Sequence, residues 1–288
     1  MRNNFVVMIL THGRPNNVCT YKTLKKQGYT GKIIIVVDNE DNTIEGYHAN
    51  FGEENVYVFC KKSVASEIDE GDNFKDRRAI VYARNACFKI ANELGYKNFI
   101  QMDDDYTRFE NVFNNEKDYI TRNTGIKNLD NYFDLLCDFL NKTSIKSVCM
   151  AQSGDFIGGL GTVGKKYVKG EFSRKAMNSF FCSTDKPFCF NGRLNEDVNT
   201  YTSLQSRGSV FITFGRLRLQ QKPTQKNKGG MTDIYCDNGT YIKSFYSVMF
   251  MPSAVKISKM GVNNFRLHHK VKWNNTAPLI LPETLKKK

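Results

Sequence analysis

The chain has 288 residues, 40% hydrophobic and 12% aromatic, enough to bury a sizeable core as one large domain or two closely packed halves. No apolar run approaches the ~20 residues that cross a bilayer, and the short run ending at Leu10 enters Thr11-His12-Gly13-Arg14 without a small-residue cleavage site, so a cytoplasmic chain without membrane contact is expected. A formal charge of +13 favours a polyanionic partner such as nucleic acid, and eight cysteines without a CxxC pair or zinc spacing suggest reduced core thiols.

In chain order, Phe5 to Leu10 is a fully apolar run that predicts a buried strand. Gly13 permits a tight turn, and Pro15 suits the first position of a helix running through Leu24 to Gly28. Residues 32–38 are β-branched almost throughout and end on Asp38, which predicts a second buried strand; residues 56–59 predict a third. Strand, helix and strand at this spacing imply a parallel sheet, and ligands of such sheets gather at the carboxyl ends of the strands. Thr11, Arg14, Asp38 and Asp103 all fall just beyond such ends.

Residues 62–74 are polar and aperiodic and read as a mobile loop. The stripe Ile80, Ala83, Cys87, Ile90 and Leu94 predicts a helix over 76–94, stopped by Gly95. On that helix Arg77 and Arg84 are seven apart and fall within about 20° of each other. They suit either a diphosphate or ion pairs with the aspartates of the following strand.

That strand, from Asn98, ends in Asp103-Asp104-Asp105. Adjacent aspartates repel one another, and a fold that gathers them usually neutralises them with a divalent cation; a solvated acidic turn is the plain alternative. In an extended chain Asp103 and Asp105 share a side and Asp104 points away. Oxygen-only ligands suit Mg2+ or Mn2+.

Further on, residues 129–141 predict an amphipathic helix and 147–152 a strand. The glycine-rich stretch 153–161 lacks the order of a phosphate loop or dinucleotide fingerprint. Glu196 and Asp197 open a predicted helix over 195–207, where carboxylates also serve as caps. A strand over 209–214 and a basic loop over 220–230 with Lys222, Lys226 and Lys228 follow; His268 and His269 stand in a basic tail that ends in three lysines.

Together these residues resemble a nucleotide-sugar glycosyltransferase of the GT-A type. The set is the N-terminal strand followed by Thr11 and Arg14-Pro15, the strand ending in Asp38, and Ala83-Arg84-Asn85. It continues with Asp103-Asp104-Asp105, Asn195-Glu196-Asp197 and a C-terminal histidine. With the 220–230 loop it is similar to the TET-associated glycosyltransferases, phage and kinetoplastid enzymes that glycosylate hydroxymethylated pyrimidines in DNA. Residues 106–119 and most of 160–190 match nothing in that pattern.

The resemblance implies a single GT-A-like α/β domain, a Rossmann-type sheet with helices on both faces. Residues 1–105 would form the nucleotide-sugar half and 106–288 the acceptor half. It implies Mn2+ or Mg2+ held by Asp103 and Asp105, with His268 or His269 as a further ligand; phosphate or solvent contact is the other role for the histidines. Thr11, Arg14, Asp38, Arg84, Asn85 and Asp104 would contact the donor, a UDP-sugar. Asp197 or Glu196 would be the catalytic carboxylate, and hydroxymethylated double-stranded DNA in the cytoplasm of a phage host the acceptor. Transfer to a glycan, lipid or protein is the rival within the class. A metal-dependent nuclease is the rival outside it, with a DNA-binding module carrying a dead site as a third.

Overall fold

Phe5–Leu10 forms strand β1, buried along its whole length. Its residues divide between two cores: Phe5, Val7 and Ile9 enter one, and Val6, Met8 and Leu10 the other. An apolar run without alternation is what a strand covered on both faces requires. The computed structural model describes residues 4–113, 125–156, 175–222, 231–261 and 265–276.

Strands β2 (Ile33–Asp38) and β4 (Asn98–Asp103) flank β1, and β3 (Val56–Phe59) flanks β2, all parallel. Helices α1 (Cys19–Lys26), α2 (Ile44–Phe51) and α5 (Leu129–Lys142) contribute Leu24, Tyr47 and Phe133 to the first core. Helices α4 (Val81–Glu93) and α6 (Glu196–Ser206) contribute Tyr82, Ile90, Val198 and Tyr201 to the second.

Beyond β4 the sheet turns mixed. Strand β7 (Phe180–Ser183) runs antiparallel to β4, β6 (Ser147–Gln152) antiparallel to β7, and β8 (Phe211–Gln221) parallel to β6. Strand β5 (Tyr106–Asn111) closes the order β3-β2-β1-β4-β7-β6-β8-β5. This is the expected Rossmann-type α/β sheet with helices on both faces.

Strand β8 is long and irregular. Its register against β6 jumps between Met150↔Phe214 and Ala151↔Arg218, a bulge that bends the strand, and its last residues pair with β5 on the other side. There the buried Glu110 accepts from Arg218 Nε at 2.9 Å. Just past the strand, the Lys222 amide donates to the Asp105 carbonyl at 3.1 Å. The far edge of the sheet thus returns to the aspartates.

Three expectations are corrected. Helix α1 starts at Cys19, not Pro15, because residues 14–17 close a turn in which the Asn17 amide donates to the Arg14 carbonyl. Helix α4 starts at Val81, so Arg77 lies before it and pairs with Glu40 rather than sharing a face with Arg84. The 62–74 stretch opens in helix α3 (Lys61–Ala65) and is tied down by distant partners. The Gly192 and Arg193 amides donate to the Asp69 and Glu70 carbonyls, Arg193 pairs with Asp72, and Tyr82 and Tyr246 donate to Glu70 and Asp72.

Helices α7 (Met231–Asn238) and α8 (Ile242–Phe250) and the antiparallel ribbon of β9 (Val255–Met260) and β10 (Arg266–Val271) complete the described chain. All eight cysteines are free, with Cys87, Cys137, Cys149 and Cys182 buried. Among the described residues no helix is long and apolar enough to cross a membrane.

Candidate active site

The aspartates sit at a tight turn rather than along an extended strand, and the turn sends the chain from β4 to β5 at the far edge of the sheet. Asp103 ends β4, the chain turns through Asp104 and Asp105, and β5 begins at Tyr106. One side chain of α1 clamps this turn. The Thr20 hydroxyl donates to the Asp103 carbonyl at 2.6 Å and accepts from the Tyr106 amide at 2.9 Å, while the Thr20 amide donates to the Asp104 carbonyl. Nothing in the sequence around Thr20 signals this role, since a threonine in a polar helix reads as solvated.

The turn separates the three carboxylates. Asp104 is buried against the end of β1, where it accepts from the Thr11 hydroxyl at 2.6 Å and faces Arg14 Nε at 3.2 Å. Thr11 and the Arg14 amide in turn meet the Tyr47 hydroxyl. Asp103 and Asp105 keep partial solvent access. Burial and the neighbouring carboxylates push Asp103 up to about 6, against the pull of Arg84. Burial, then Asp103 and Asp104, push Asp105 up to about 7. Two crowded carboxyls that resist ionising are a donor set short of positive charge.

At the end of β2, Asp38 is surrounded by donors. His12 Nδ1 lies 2.8 Å from its carboxylate, Lys61 Nζ 3.1 Å, and the Glu40 amide donates to its other oxygen. Burial raises its carboxyl, but the His12 hydrogen bond and the Lys61 charge outweigh that and hold it below the usual range. Lys61 is itself buried at 5% exposure. Sequence reasoning missed it, because a lysine opening a short helix reads as solvated.

Arg84 is the buried link between β4 and α6. Its Nε donates to Glu196 at 2.8 Å, its Nη2 to Asp103 at 3.1 Å and its Nη1 to the Asn178 carbonyl, with the rings of Phe180 and Phe190 within 6 Å. Asn178 has a φ of 65° and donates to Gln221 at the end of β8. Of the two roles open to Arg84, the structure displays the ion pairs. Asn85, expected at the donor, spends its amide on the Val81 carbonyl and on both backbone groups of Phe190. Replacing Arg84 by alanine strands the buried Glu196 carboxylate and the half-buried Asp103, so we expect a loss of about 3 kcal/mol or more in urea unfolding. Unchanged stability would deny the link.

Helix α6 begins after Asn195, whose φ of 60° turns the chain sharply. Glu196 is committed to Arg84, whereas Asp197 accepts from the Val198 amide at 2.7 Å. Burial raises both carboxyls.

The ribbon brings His269 Nδ1 to 3.1 Å from Asn195 Nδ2, with the His268 ring 4.2 Å away. Burial lowers both imidazoles, His269 to about 3, so they are neutral. Among the described residues no three His, Cys, Asp or Glu side chains gather as an ion cage, so the structure does not unite the histidines with the aspartates. What the residues present do fit is a cation held by two carboxylates and completed by water and substrate oxygens, the usual manner for Mg2+. Residues 157–161, Lys226, Lys228 and the terminal lysines lie outside the described residues.

A model of the TET-associated glycosyltransferase family matches residues 5–230. Among solved structures, glucosyl-3-phosphoglycerate synthase from Mycobacterium tuberculosis in complex with Mn2+ and UDP-glucose aligns over 96% of this chain and 90% of its own, with a TM-score of 0.45 and 11% identity. The same enzyme with Mg2+ and UDP aligns equally far, at 0.44 and 10%. Among curated proteins no sequence matches.

Proposed function

The chain belongs to the TET-associated glycosyltransferase family, and from that premise we propose that it moves a sugar from a UDP-sugar to the hydroxymethyl oxygen of a 5-hydroxymethyl pyrimidine in DNA, with Mn2+ or Mg2+ as cofactor. The observation that carries the reading is the tight turn at the end of β4, which crowds Asp103 and Asp105 while turning Asp104 onto Thr11 and Arg14.

In this reading Asp103 and Asp105 hold the cation, which when bound offsets the charge that develops on the leaving diphosphate. Arg14, partly exposed, faces the phosphates, and Asp104 orients it. Asp38 acts on the nucleoside through His12, which it fixes, rather than by direct contact. Arg84 holds Asp103 and Glu196 in register from below. Asp197, which accepts from the Val198 amide and whose carboxyl burial raises, faces the acceptor and takes its hydroxyl proton. Residues 1–105 serve the donor and the remainder the acceptor, and the charge of +13 suits a DNA acceptor, since counterion release contributes much of such affinity. The test is mass spectrometry of nucleosides from hydroxymethylated duplex DNA after incubation with UDP-sugars and Mn2+, expected to show one sugar added to the modified nucleoside.

A further inference from the structure

On the DNA-acceptor reading just given, we propose that the β9–β10 ribbon is the surface on which the phosphate backbone of the acceptor duplex lies. It belongs to a segment beyond the family match, which ends at residue 230. From Asn238 to Pro282 the sequence contains no Asp or Glu, yet it carries Lys243, Lys256, Lys259, Arg266, Lys270 and Lys272.

The register arranges these charges. Lys256 stands directly opposite Lys270, Ser258 opposite His268, and Met260 opposite Arg266. Residues opposite each other share a face, as do alternate residues of one strand. Arg266, His268 and Lys270 therefore form one row, which Lys272 extends by donating its amide to the Ala254 carbonyl at 2.7 Å. The other face carries Val255, which is buried, and Val271, which packs on the second core. Lys256, Arg266, Lys270 and Lys272 are all on the open side, with Lys256, Arg266 and Lys270 exposed.

Two like charges directly opposite destabilise a strand pair, and the segment offers no carboxylate to relieve them. A polyanion does. At about 3.4 Å per residue the row from Arg266 to Lys272 is about 20 Å long. That is over half of the ~34 Å turn of a duplex, whose backbone carries a charge every ~1.7 Å of axis.

The ribbon is also anchored beside the site. His269 touches Asn195, which immediately precedes Glu196 and Asp197, and Asn195 also donates to Ser247 of α8 at 2.7 Å. The face opposite the row is thus the one that anchors the ribbon next to the start of α6.

The experiment uses the full chain and a triple variant, Lys256→Gln/Lys270→Gln/Lys272→Gln. A control, Lys22→Gln/Lys25→Gln/Lys26→Gln on α1, removes the same charge from another part of the surface. Binding to hydroxymethylated duplex DNA is followed against salt by fluorescence anisotropy, alongside sugar transfer and slow UDP-sugar hydrolysis. The expected result is a salt slope shallower by about 2–3 for the ribbon variant, at about 0.9 for each phosphate it no longer neutralises. Its hydrolysis and the slope of the control stay unchanged. Should the triple variant fold poorly, Lys270→Gln alone is expected to cost about one unit of slope.

The ribbon is overturned if wild type modifies DNA and the ribbon variant keeps the wild-type slope, or if the control loses as much. It is also overturned if the three lysines matter for phosphatidylserine vesicles and not for DNA. If wild type neither binds nor modifies DNA at low salt, the DNA reading falls and the ribbon with it.

Discussion

Replacing Asp105 by alanine is expected to lower sugar transfer and UDP-sugar hydrolysis by about 10²–10³-fold or more, the range seen when one group stabilising a developing charge is lost. Asp105 is partly accessible and crowded by Asp103 and Asp104, so its removal relieves repulsion and opens no core cavity. The stability readout separates this from damage to the fold. Burial raises the folded Asp105 carboxyl to about 7, above its unfolded value, so the folded chain favours the protonated form. That contribution is present at low pH and is lost as pH rises through about 7. In EDTA the wild type should therefore lose stability between about pH 4 and 8, and Asp105→Ala should lose less of it. Adding Mn2+ should raise the Tm of the wild type at pH 8 and leave that of the variant nearly unchanged. A variant with near-normal turnover in EDTA would remove the metal from the account.

Asp197→Asn is expected to reduce transfer by about 10²-fold or more, because the amide keeps the hydrogen bond to the Val198 amide and loses the capacity to take a proton. Glu196→Gln should act differently. It weakens the pair with buried Arg84, so it should lower stability together with rate. Rate loss at unchanged Tm for Asp197→Asn, against loss of both for Glu196→Gln, is the expected contrast. A Tm loss with turnover preserved at Asp197 would make it a helix cap.

The donor-side framework was legible because it is local. Apolar runs at 5–10, 32–38 and from Asn98 need no distant partner to read as strands, and the position of a carboxylate at the end of the second and third of them follows from the sequence itself. What stayed hidden depends on contacts far along the chain. Residues 62–74 read as a loop because their partners, Gly192, Arg193 and Tyr246, lie more than a hundred residues away. Helix α4 was drawn too early because the charged residues at 75–78 suit a helix, yet Asp76 bonds to the Arg78 backbone and Glu40 holds Arg77.

Strand β5 was missed because its buried charge, Glu110, makes no sense without Arg218 on β8. The same coupling explains why only the first half of β8 was legible. Past its bulge the strand is held between β6 and β5, and its polar pattern there follows from those partners.

At the site, sequence reasoning gathered the aspartates, Thr11, Arg14, Asp38 and Arg84, and the structure does bring Asp103 to Arg84 and Asp104 to Thr11 and Arg14. Geometry redistributes their tasks. The two-residue turn, and not the alternation of a strand, decides which carboxylates stay open.

The central claim is that the crowded aspartates serve sugar transfer to a hydroxymethyl pyrimidine in DNA. Nucleoside mass spectrometry tests it most directly, with hydroxymethylated duplex DNA, a panel of UDP-sugars and Mn2+ or Mg2+ at low salt. The account predicts a new nucleoside heavier by one sugar residue, formed only with metal, absent in EDTA and absent for Asp105→Ala. Unmodified DNA with every donor, while a glycan, lipid or peptide is glycosylated under the same conditions, would contradict it, as would strand cleavage in place of sugar addition.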